Sequence, residues 1–381
     1  MNRITRCALC LALGAWACLA TGCGDDSDPA APEVFPPVDA PSSVEAVLAN
    51  PSAVQVRFSS VDVTDRTVLY QVFVATEPEP AEPIDSDRVS ELYHQNLDPV
   101  LISTRHSGLE PARTHYVRVR ARPDGGEWTE WSAVDSVITP ARIVDPDVPL
   151  GSGFALDASG QHLAHELSGE IWINVLGTER VWRLAQGHTP TWSPDARRIA
   201  YVVRESFRNL LYQIDSAGGS PMFLGRIPGS DPEWSPDGST LVLASGEGPV
   251  FLPLTSSQWE TVDAPTAGSW SWAPDSDRVV GAASRDEPEL TVVTRSTATA
   301  ETFAVPVDGS VETPVWSPRD ERIVFDVYGD DDGLWVWELG AERATRLIGA
   351  GAYPIWSSDG RRILFYHGEM LWSLPIDEES R

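Results

Sequence analysis

The sequence predicts an all-β protein made of two β domains in series. No segment after residue 37 has the 3.6-residue apolar periodicity of an amphipathic helix, and short apolar segments bounded by turn residues run through the chain instead. After residue 140 one sequence unit recurs six times at intervals of about 40 residues, which is typical of a repeat architecture. We therefore place the two domains at residues 38–140 and 141–381.

The first 22 residues have the pattern of a bacterial export signal. Arg3 and Arg6 precede an apolar run at 7–20, which is shorter than the about 20 residues that span a membrane as a helix. The next residues, Leu19-Ala20-Thr21-Gly22-Cys23, resemble a lipobox, the site at which bacterial lipoproteins are cleaved and lipidated. The resemblance implies a signal peptide at 1–22 and a membrane anchor through lipid on Cys23.

The rest of the cysteine pattern agrees with this interpretation. Cys7, Cys10 and Cys18 all lie within the signal, so the lipobox residue Cys23 is the last cysteine of the sequence. An ordinary secretory signal and an uncleaved anchor helix are the alternatives. Gly24 follows the cysteine where Asp favours inner-membrane retention, so the resemblance favours the outer membrane, on its periplasmic or surface face.

Charge and composition describe the segment that follows and exclude one class of partner. Residues 23–37 are rich in Asp, Pro and Ala, which predicts a disordered acidic tether. The whole chain has a formal net charge of -28, and a chain this acidic repels the phosphate backbone. We therefore expect no nucleic-acid partner.

The segment 38–140 resembles a fibronectin type III domain. Its strongest match is the turn Leu109-Glu110-Pro111 followed by the alternating run from His115 to Ala121, which corresponds to the family's sixth strand. The period of two residues points His115, Val117, Val119 and Ala121 into the core. His115 stands where the family has a tyrosine that closes a hydrogen-bonded corner. Further strands are predicted at 53–58, 67–75 and 133–138.

The next sequence, Trp128-Thr129-Glu130-Trp131-Ser132, resembles the Trp-Ser-x-Trp-Ser box of cytokine-receptor fibronectin domains. In those domains two indoles stack between arginines of the preceding strand. The resemblance implies a ladder of stacked side chains formed by Arg118, Arg120, Arg122, Trp128 and Trp131. We interpret this ladder as a device that stabilises one sheet, with a binding surface as the alternative.

The repeat unit of the second domain is a tryptophan followed by a Pro-Asp turn and a nearly continuous apolar strand. It occurs at Trp192-Ser-Pro-Asp195, Trp234-Ser-Pro-Asp237, Trp272-Ala-Pro-Asp275, Trp316-Ser-Pro-Arg319 and Trp356-Ser-Ser-Asp359, with a degenerate copy at Leu156-Asp157. Six units long enough for four strands each predict a six-bladed β-propeller. The last unit lacks a fourth strand, so we predict that residues 142–145 supply it and close the ring.

These repeats resemble those of the TolB-type (WD40-like, PD40) propeller over most of residues 141–381. The resemblance implies an interaction with proteins of the cell envelope. The loops that lead into the innermost strands of a propeller surround one mouth of its central channel, where ligands commonly bind. The sequence places five residues in these loops, and we predict a binding rim there, with ordinary loop residues as the alternative: His188, Asp231, Ser269, Glu312 and Tyr353.

No catalytic, metal-binding or cofactor-binding residues are predicted. The chain has no Gly-x-Ser-x-Gly nucleophile motif. His162 and His165 are three residues apart in a strand and so point to opposite faces. The acidic run at 330–333 lacks the later ligands of a calcium loop and is interpreted as a turn.

The sequence therefore predicts a non-catalytic lipoprotein of the envelope that binds a protein, peptide or small ligand through its propeller. The fibronectin-like domain would act as a spacer or as a second binding module. The alternative is a hydrolase or lyase with its site in the central channel. Among the inner-strand residues that immediately precede the repeat tryptophans, only Glu233 is ionisable, which disfavours that alternative.

Overall fold

The computed structural model describes residues 38–61, 66–78, 89–96, 101–143, 152–206, 208–256, 258–265, 268–282, 287–368 and 370–376. Within these ranges every regular element is a β-strand, and the strands form antiparallel sheets. The predicted all-β fold class is therefore confirmed. The predicted signal, Cys23 and the tether lie outside the described residues.

No helix in the described part of the chain has the length and apolar character needed to cross a membrane.

The first two sheets pack face to face as a β-sandwich. Their strands are β1 (Glu45–Asn50), β2 (Ala53–Ser59), β3 (Arg66–Ala75), β4 (Val89–Asn96), β5 (Leu101–Ser107), β6 (Thr114–Pro123) and β7 (Asp135–Ile138). One sheet has the order β1-β2-β5 and the other β4-β3-β6-β7. Val56 and Phe58 of the first sheet share a buried core with Val72 and Val119 of the second. The sequence predicted β2, β3, β6 and β7, but not β1, β4 and β5.

The histidine at the predicted corner makes a hydrogen bond of the kind that a tyrosine would make. His115 is buried, and its Nε2–H donates to the carbonyl oxygen of Glu110 at 3.0 Å. The hydroxyl of Thr139 donates to the same oxygen at 2.6 Å. Val117 and Val119 are fully buried beyond it, so the predicted inward face of β6 is confirmed.

The described residues from 141 onward form six four-stranded sheets, which are the blades of a propeller. Blade 1 contains β9 (Ser152–Leu156), β10 (His162–Leu167), β11 (Glu170–Val175) and β12 (Val181–Gln186); blade 2 contains β13 (His188–Trp192), β14 (Arg198–Glu205), β15 (Arg208–Asp215) and β16 (Met222–Ile227); blade 3 contains β17 (Ser230–Trp234), β18 (Thr240–Ser245), β19 (Gly248–Pro253) and β20 (Glu260–Thr261). Blade 4 contains β21 (Ser271–Trp272), β22 (Arg278–Ala282), β23 (Glu289–Thr294) and β24 (Thr299–Ala304); blade 5 contains β25 (Ser310–Trp316), β26 (Arg322–Tyr328), β27 (Gly333–Glu338) and β28 (Ala344–Ile348); blade 6 contains β29 (Ala352–Trp356), β30 (Arg362–His367), β31 (Met370–Pro375) and, from before blade 1, β8 (Ala141–Arg142). The first strand of each blade contacts the first strand of the next, from β9 round to β29 and back to β9.

The repeat tryptophans fill the seams between blades. Each is buried, and three donate their indole N–H to the inner strand of the preceding blade: Trp192 to Ala155 O, Trp272 to Glu233 O and Trp356 to Val315 O, all at 3.0–3.1 Å. An arginine of the preceding blade stacks on the ring in three seams: Arg198 on Trp234, Arg278 on Trp316 and Arg322 on Trp356, at 5.0–5.3 Å. One short motif therefore supplies both the turn within a blade and the contact between blades.

The turn after the tryptophan is held by a serine–aspartate pair in three repeats: Ser193 with Asp195, Ser235 with Asp237 and Ser357 with Asp359. In blade 2 the Ser193 hydroxyl donates to the Asp195 carboxylate at 2.6 Å, and the N–H of Arg198 donates to the serine oxygen. The serine hydrogen bond lowers the pKa of Asp195, and the corresponding bond from Ser357 lowers the pKa of Asp359. These turns are therefore stabilised by the ionised carboxylate and weaken as the pH falls through its lowered pKa.

The ring is closed by a strand from the start of the domain, as predicted. In β8, Ala141 pairs with Ser373 and Arg142 with Trp372 of β31, and the N–H of Ile143 donates to Leu371 O at 3.0 Å. The pairing begins one residue earlier than predicted, and residues 144 and 145 lie outside the described part. Both ends of the propeller thus meet in blade 6.

The sandwich packs against blades 5 and 6. Leu48 of β1 is buried in one apolar cluster with Ile348 of blade 5 and Phe365 of blade 6. The N–H of Gly349 donates to the carbonyl oxygen of Leu48 at 2.7 Å. A Cβ on Gly349 would lie only 3.0 Å from the carbonyl oxygen of Ala49, so any other residue would push the two backbones a few tenths of an ångström apart.

Replacing residues 141–143 with Gly-Ser-Gly keeps the length of the connection but weakens the closing strand. We expect the whole propeller to lose stability, by about 1 kcal/mol for each hydrogen bond lost, because an open ring exposes the edge of β31. Thermal unfolding followed by tryptophan fluorescence measures the effect. The same replacement in the turn at 217–219 is the control, and equal melting of the two variants would contradict the closure.

Candidate functional site

The predicted rim residues lie at the starts of the innermost strands of blades 2 to 6. His188 begins β13, Asp231 is the second residue of β17, and Ser269 lies two residues before β21. Glu312 and Tyr353 lie near the starts of β25 and β29. Because the first strands of a propeller run in the same direction around the channel, these positions surround one mouth.

Each of these strand starts, except that of blade 4, contains a residue with a positive φ. The angles are 47° at Thr189, 52° at Asp231, 40° at Thr313 and 54° at Tyr353, with 62° at Gly153 in blade 1. The pairing with the second strand shifts at the same place in all five blades. Four of these residues are not glycine, and two are β-branched threonines, for which this conformation is costly. The mouth is therefore a ring of strained β-bulges.

A proline explains the position of four of the five bulges. Pro190, Pro232, Pro314 and Pro354 each follow a positive-φ residue directly and precede the repeat tryptophan by two positions. Proline has no N–H to donate, and a bulge leaves a residue unpaired at that point of the ladder. This repeated proline is the sequence signal for the bulges, and it would have added Thr189 and Thr313 to the predicted rim.

Glu312 and Tyr353 belong to one polar cluster at the mouth, between blades 5 and 6. At its centre the carboxylate of Asp326, which is 1% exposed, accepts hydrogen bonds from the Thr313 hydroxyl and from the Tyr353 N–H. Tyr328 donates its hydroxyl to the same carboxylate at 3.1 Å. Burial raises the pKa of Asp326, and burial followed by the negative charge of Asp326 raises the pKa of Tyr328. A buried acid thus holds the bulges of blades 5 and 6.

His188 has a similar acidic partner at the seam between blades 1 and 2. Its Nδ1 lies 2.8 Å from Oε1 of Glu166 in the second strand of blade 1. Glu166 pairs with the first strand of its own blade at the position that Asp326 occupies in blade 5. The two remaining rim residues are not linked to these groups: Asp231 accepts a hydrogen bond from its neighbour Ser230, and none is described for the Ser269 side chain.

Glu233 is a further polar group on the inner strands, below the rim. Its carboxylate accepts hydrogen bonds from the Ser271 hydroxyl at 3.2 Å and from the Trp272 N–H at 3.0 Å, both in the next blade. Burial raises the pKa of Glu233 to about 7, although these two hydrogen bonds favour the ionised form. The predicted inner-strand acid is thus a bridge between blades 3 and 4.

The histidine pair in blade 1 does not come together. His162 Nδ1 lies 3.0 Å from Asp157, whereas the buried His165 Nε2–H donates to Asn174 on the other face of the strand. In the described ranges no three His, Cys, Asp or Glu side chains are grouped so that they could hold a metal ion.

The aromatic ladder of the sandwich contains two of the three predicted arginines. The Arg120 guanidinium lies between the two indoles, 4.6 Å from the centre of Trp128 and 4.6 Å from that of Trp131. Arg122 lies 4.8 Å from the other face of Trp128. Arg118 is not described in such a stack, and its Nε is buried without an acceptor among the described residues.

The sequence matches no protein-family model and no curated protein.

Several solved structures align with this chain at low sequence identity. The putative TolB from Agrobacterium tumefaciens aligns with a TM-score of 0.49 and 16% identity, over 60% of this chain and 91% of that one. TolB from Acinetobacter baumannii aligns with a TM-score of 0.45 and 14% identity, over 69% of this chain and 77% of that one. An oligogalacturonate lyase in complex with manganese aligns with a TM-score of 0.45 and 13% identity, over 70% of this chain and 86% of that one.

The raised pKa of Glu233 predicts a pH dependence of stability. An acid whose pKa rises on folding stabilises the fold only while it is protonated, so its contribution falls as the pH rises from about 4.5 through about 7. Relative to Glu233→Gln, the wild type should therefore lose about 2–3 kcal/mol of unfolding free energy between pH 5 and pH 8. Denaturant titration of both proteins at the two pH values measures this difference.

The exposed substitution Glu301→Gln is the matched control for removal of one formal charge. The serine-linked turn aspartates titrate below this window because their pKa values are lowered, so they do not contribute to the difference. If the free energy of unfolding depends on pH in the same way in the wild type and in Glu233→Gln, ionisation of Glu233 does not destabilise the fold, and the prediction is wrong.

Proposed function

We propose that this protein is a non-catalytic, lipid-anchored protein of the cell envelope that binds a partner at the bulged mouth of its propeller. The observation that carries the proposal is the ring of positive-φ residues at Thr189, Asp231, Thr313 and Tyr353. Each such residue costs of order 1–3 kcal/mol, and strain of this kind is found chiefly at functional sites. Blade 1 has a glycine at the corresponding position, Gly153, where a positive φ carries no such cost.

The rim offers contacts of the kind that protein-binding sites use. Tyr353 is 52% exposed, and its backbone N–H is held by a hydrogen bond to Asp326. Its ring is therefore accessible to a partner while its main chain is held in place. Glu312 and Asp231 add acceptors, and His188 adds an imidazole next to Glu166. Tyrosine and charged groups on a rigid base are typical of binding hot spots. A peptide or protein loop with hydrogen-bond donors fits this set.

The sandwich has the role of a spacer in this proposal, with the ladder as a candidate second contact. The Arg120 guanidinium contacts both indoles and donates to Gln71 at 2.8 Å. These contacts all lie within the sandwich, so the group is used to stabilise its own sheet. This arrangement supports the structural interpretation of the ladder. The proposed location is the outer membrane, on its periplasmic or surface face.

Substitution Cys23→Ser tests the anchor. The wild type should incorporate labelled palmitate and enter the detergent phase, whereas the variant should remain in the aqueous phase, because an anchor of two or more acyl chains is lost. Separation of inner and outer membranes then locates the labelled protein. Equal partition of the two proteins would contradict lipidation, and label in the inner-membrane fraction would contradict the proposed location.

Substitution Tyr353→Ala tests the rim. We expect recovery of the bound partner from crosslinked, solubilised envelopes to fall about tenfold, which corresponds to loss of one hot-spot side chain. Quantitative mass spectrometry of the captured proteins is the measurement. Met222→Ala on the outermost strand of blade 2 is the control, since Met222 is equally exposed at 52%. Equal recovery with both variants would place the binding surface elsewhere.

An enzyme with its site in the central channel is the second candidate, and one observation favours it. The raised pKa of Glu233, about 7, suits a general acid or base at neutral pH. A hydrolytic or lyase activity that disappears in Glu233→Gln but persists in Tyr353→Ala would support this candidate over the binding protein.

A further inference from the structure

The seam between blades 6 and 1 differs from the other five. Leu156 stands in it where every other seam has a repeat tryptophan. Arg362 occupies the position of the arginines that stack on those tryptophans, but it donates to the buried hydroxyl of Ser373 at 2.6 Å. The closing seam therefore lacks the indole that fills the others, and it contains polar groups instead.

Two of these polar groups lie on the face of blade 1 that contacts blade 6. Leu163 marks this face, because it packs with Leu364 and Leu371 of blade 6. Asn174 pairs directly with Leu163, and His165 is two residues along the same strand, so both point to the same side. Asn174 is 4% exposed and His165 is 1% exposed.

The amide of Asn174 has an unused donor. Its Oδ1 accepts the Nε2–H of His165 at 3.3 Å, and burial lowers the pKa of His165, so the imidazole is neutral. The Nδ2 of Asn174 is buried and has no acceptor among the described residues. An unsatisfied buried donor destabilises the fold, and a ligand acceptor would satisfy it.

A cleft of about 310 Å³ opens at this seam, between β8 and the turn that joins β11 to β12. Asn174 is part of its wall. Arg142 and Arg180 bring two positive charges to it against the one negative charge of Glu179, while Ile143 and Leu176 contribute apolar surface. The volume is at the small end of the range for ligand pockets, and the wall combines donors with an apolar lining.

We propose that this cleft binds a small carboxylate with a short apolar tail. The carboxylate pairs with the guanidinium groups of Arg142 and Arg180, and the tail packs on Ile143 and Leu176. A rotation of the Asn174 side chain from its present buried position brings Nδ2 to the carboxylate as a donor. Hydrogen bonds to an ionised acceptor are the strong ones, and guanidinium groups suit a carboxylate. The cleft lies at the closing seam rather than at the mouth of the channel, so this proposal is independent of the proposed function.

Titration of the purified full-length protein with sodium hexanoate tests the proposal, with hexylamine as the probe of opposite charge. Isothermal titration and ligand-observed NMR give the affinity. We expect hexanoate to bind with a Kd of about 0.1–1 mM, as befits a ligand of this size, and hexylamine to bind at least tenfold more weakly. No binding of hexanoate, or equal binding of both probes, overturns the proposal.

Two variants locate the site. Asn174→Asp keeps the acceptor for His165 and replaces the donor with oxygen, so hexanoate affinity should fall about tenfold or more. Arg180→Gln changes an exposed turn and should weaken binding about three- to tenfold without affecting the fold. Arg226→Gln, an exposed arginine on β16, is the control. Binding that is unchanged in Arg180→Gln and in a folded Asn174→Asp overturns the assignment.

Discussion

The packing of a tryptophan from one blade against the inner strand of the blade before it is the interaction on which this architecture depends. The same ten-residue stretch contains the indole, the serine–aspartate turn and the start of a buried strand. In three seams it also contains the arginine that stacks on the next indole. Each repeat therefore supplies side chains that cover a face of the neighbouring blade, and no blade buries its two faces without its neighbours.

This locality explains which parts of the structure the sequence could predict. Repeat tryptophans, Pro-Asp turns and buried strands are encoded within short segments, so the six blades and the closing strand could be predicted. Strands β1 and β5 of the sandwich could not, since each has only one buried hydrophobic residue, Leu48 and Ile102, and so little alternation to detect. The two-residue strands β20 and β21 have no pattern of their own and form through pairing.

The candidate site was only partly predictable for a related reason. Five rim positions followed from where the loops must lie, but their chemistry depends on contacts between blades. Asp326 holds the backbone of Tyr353 from the preceding blade, and Glu166 reaches His188 in the following one. Likewise, the open donor of Asn174 becomes visible only when blades 6 and 1 are brought together. The repeat sequence predicts the strands and turns within each blade. It does not predict the side-chain contacts between neighbouring blades.

The contact of Leu48 with blades 5 and 6 has a mechanical consequence. The strand that contains Leu48 is the first strand of the sandwich, and it is joined to the propeller by a backbone hydrogen bond and a shared apolar cluster. A pull applied at residue 38 would therefore be passed through the first strand to the joint between sandwich and propeller, after the packing of Val38 and Val44 on the sandwich core. Torque at that point is transmitted in the same way, so the joint fixes the direction in which the mouth of the channel faces.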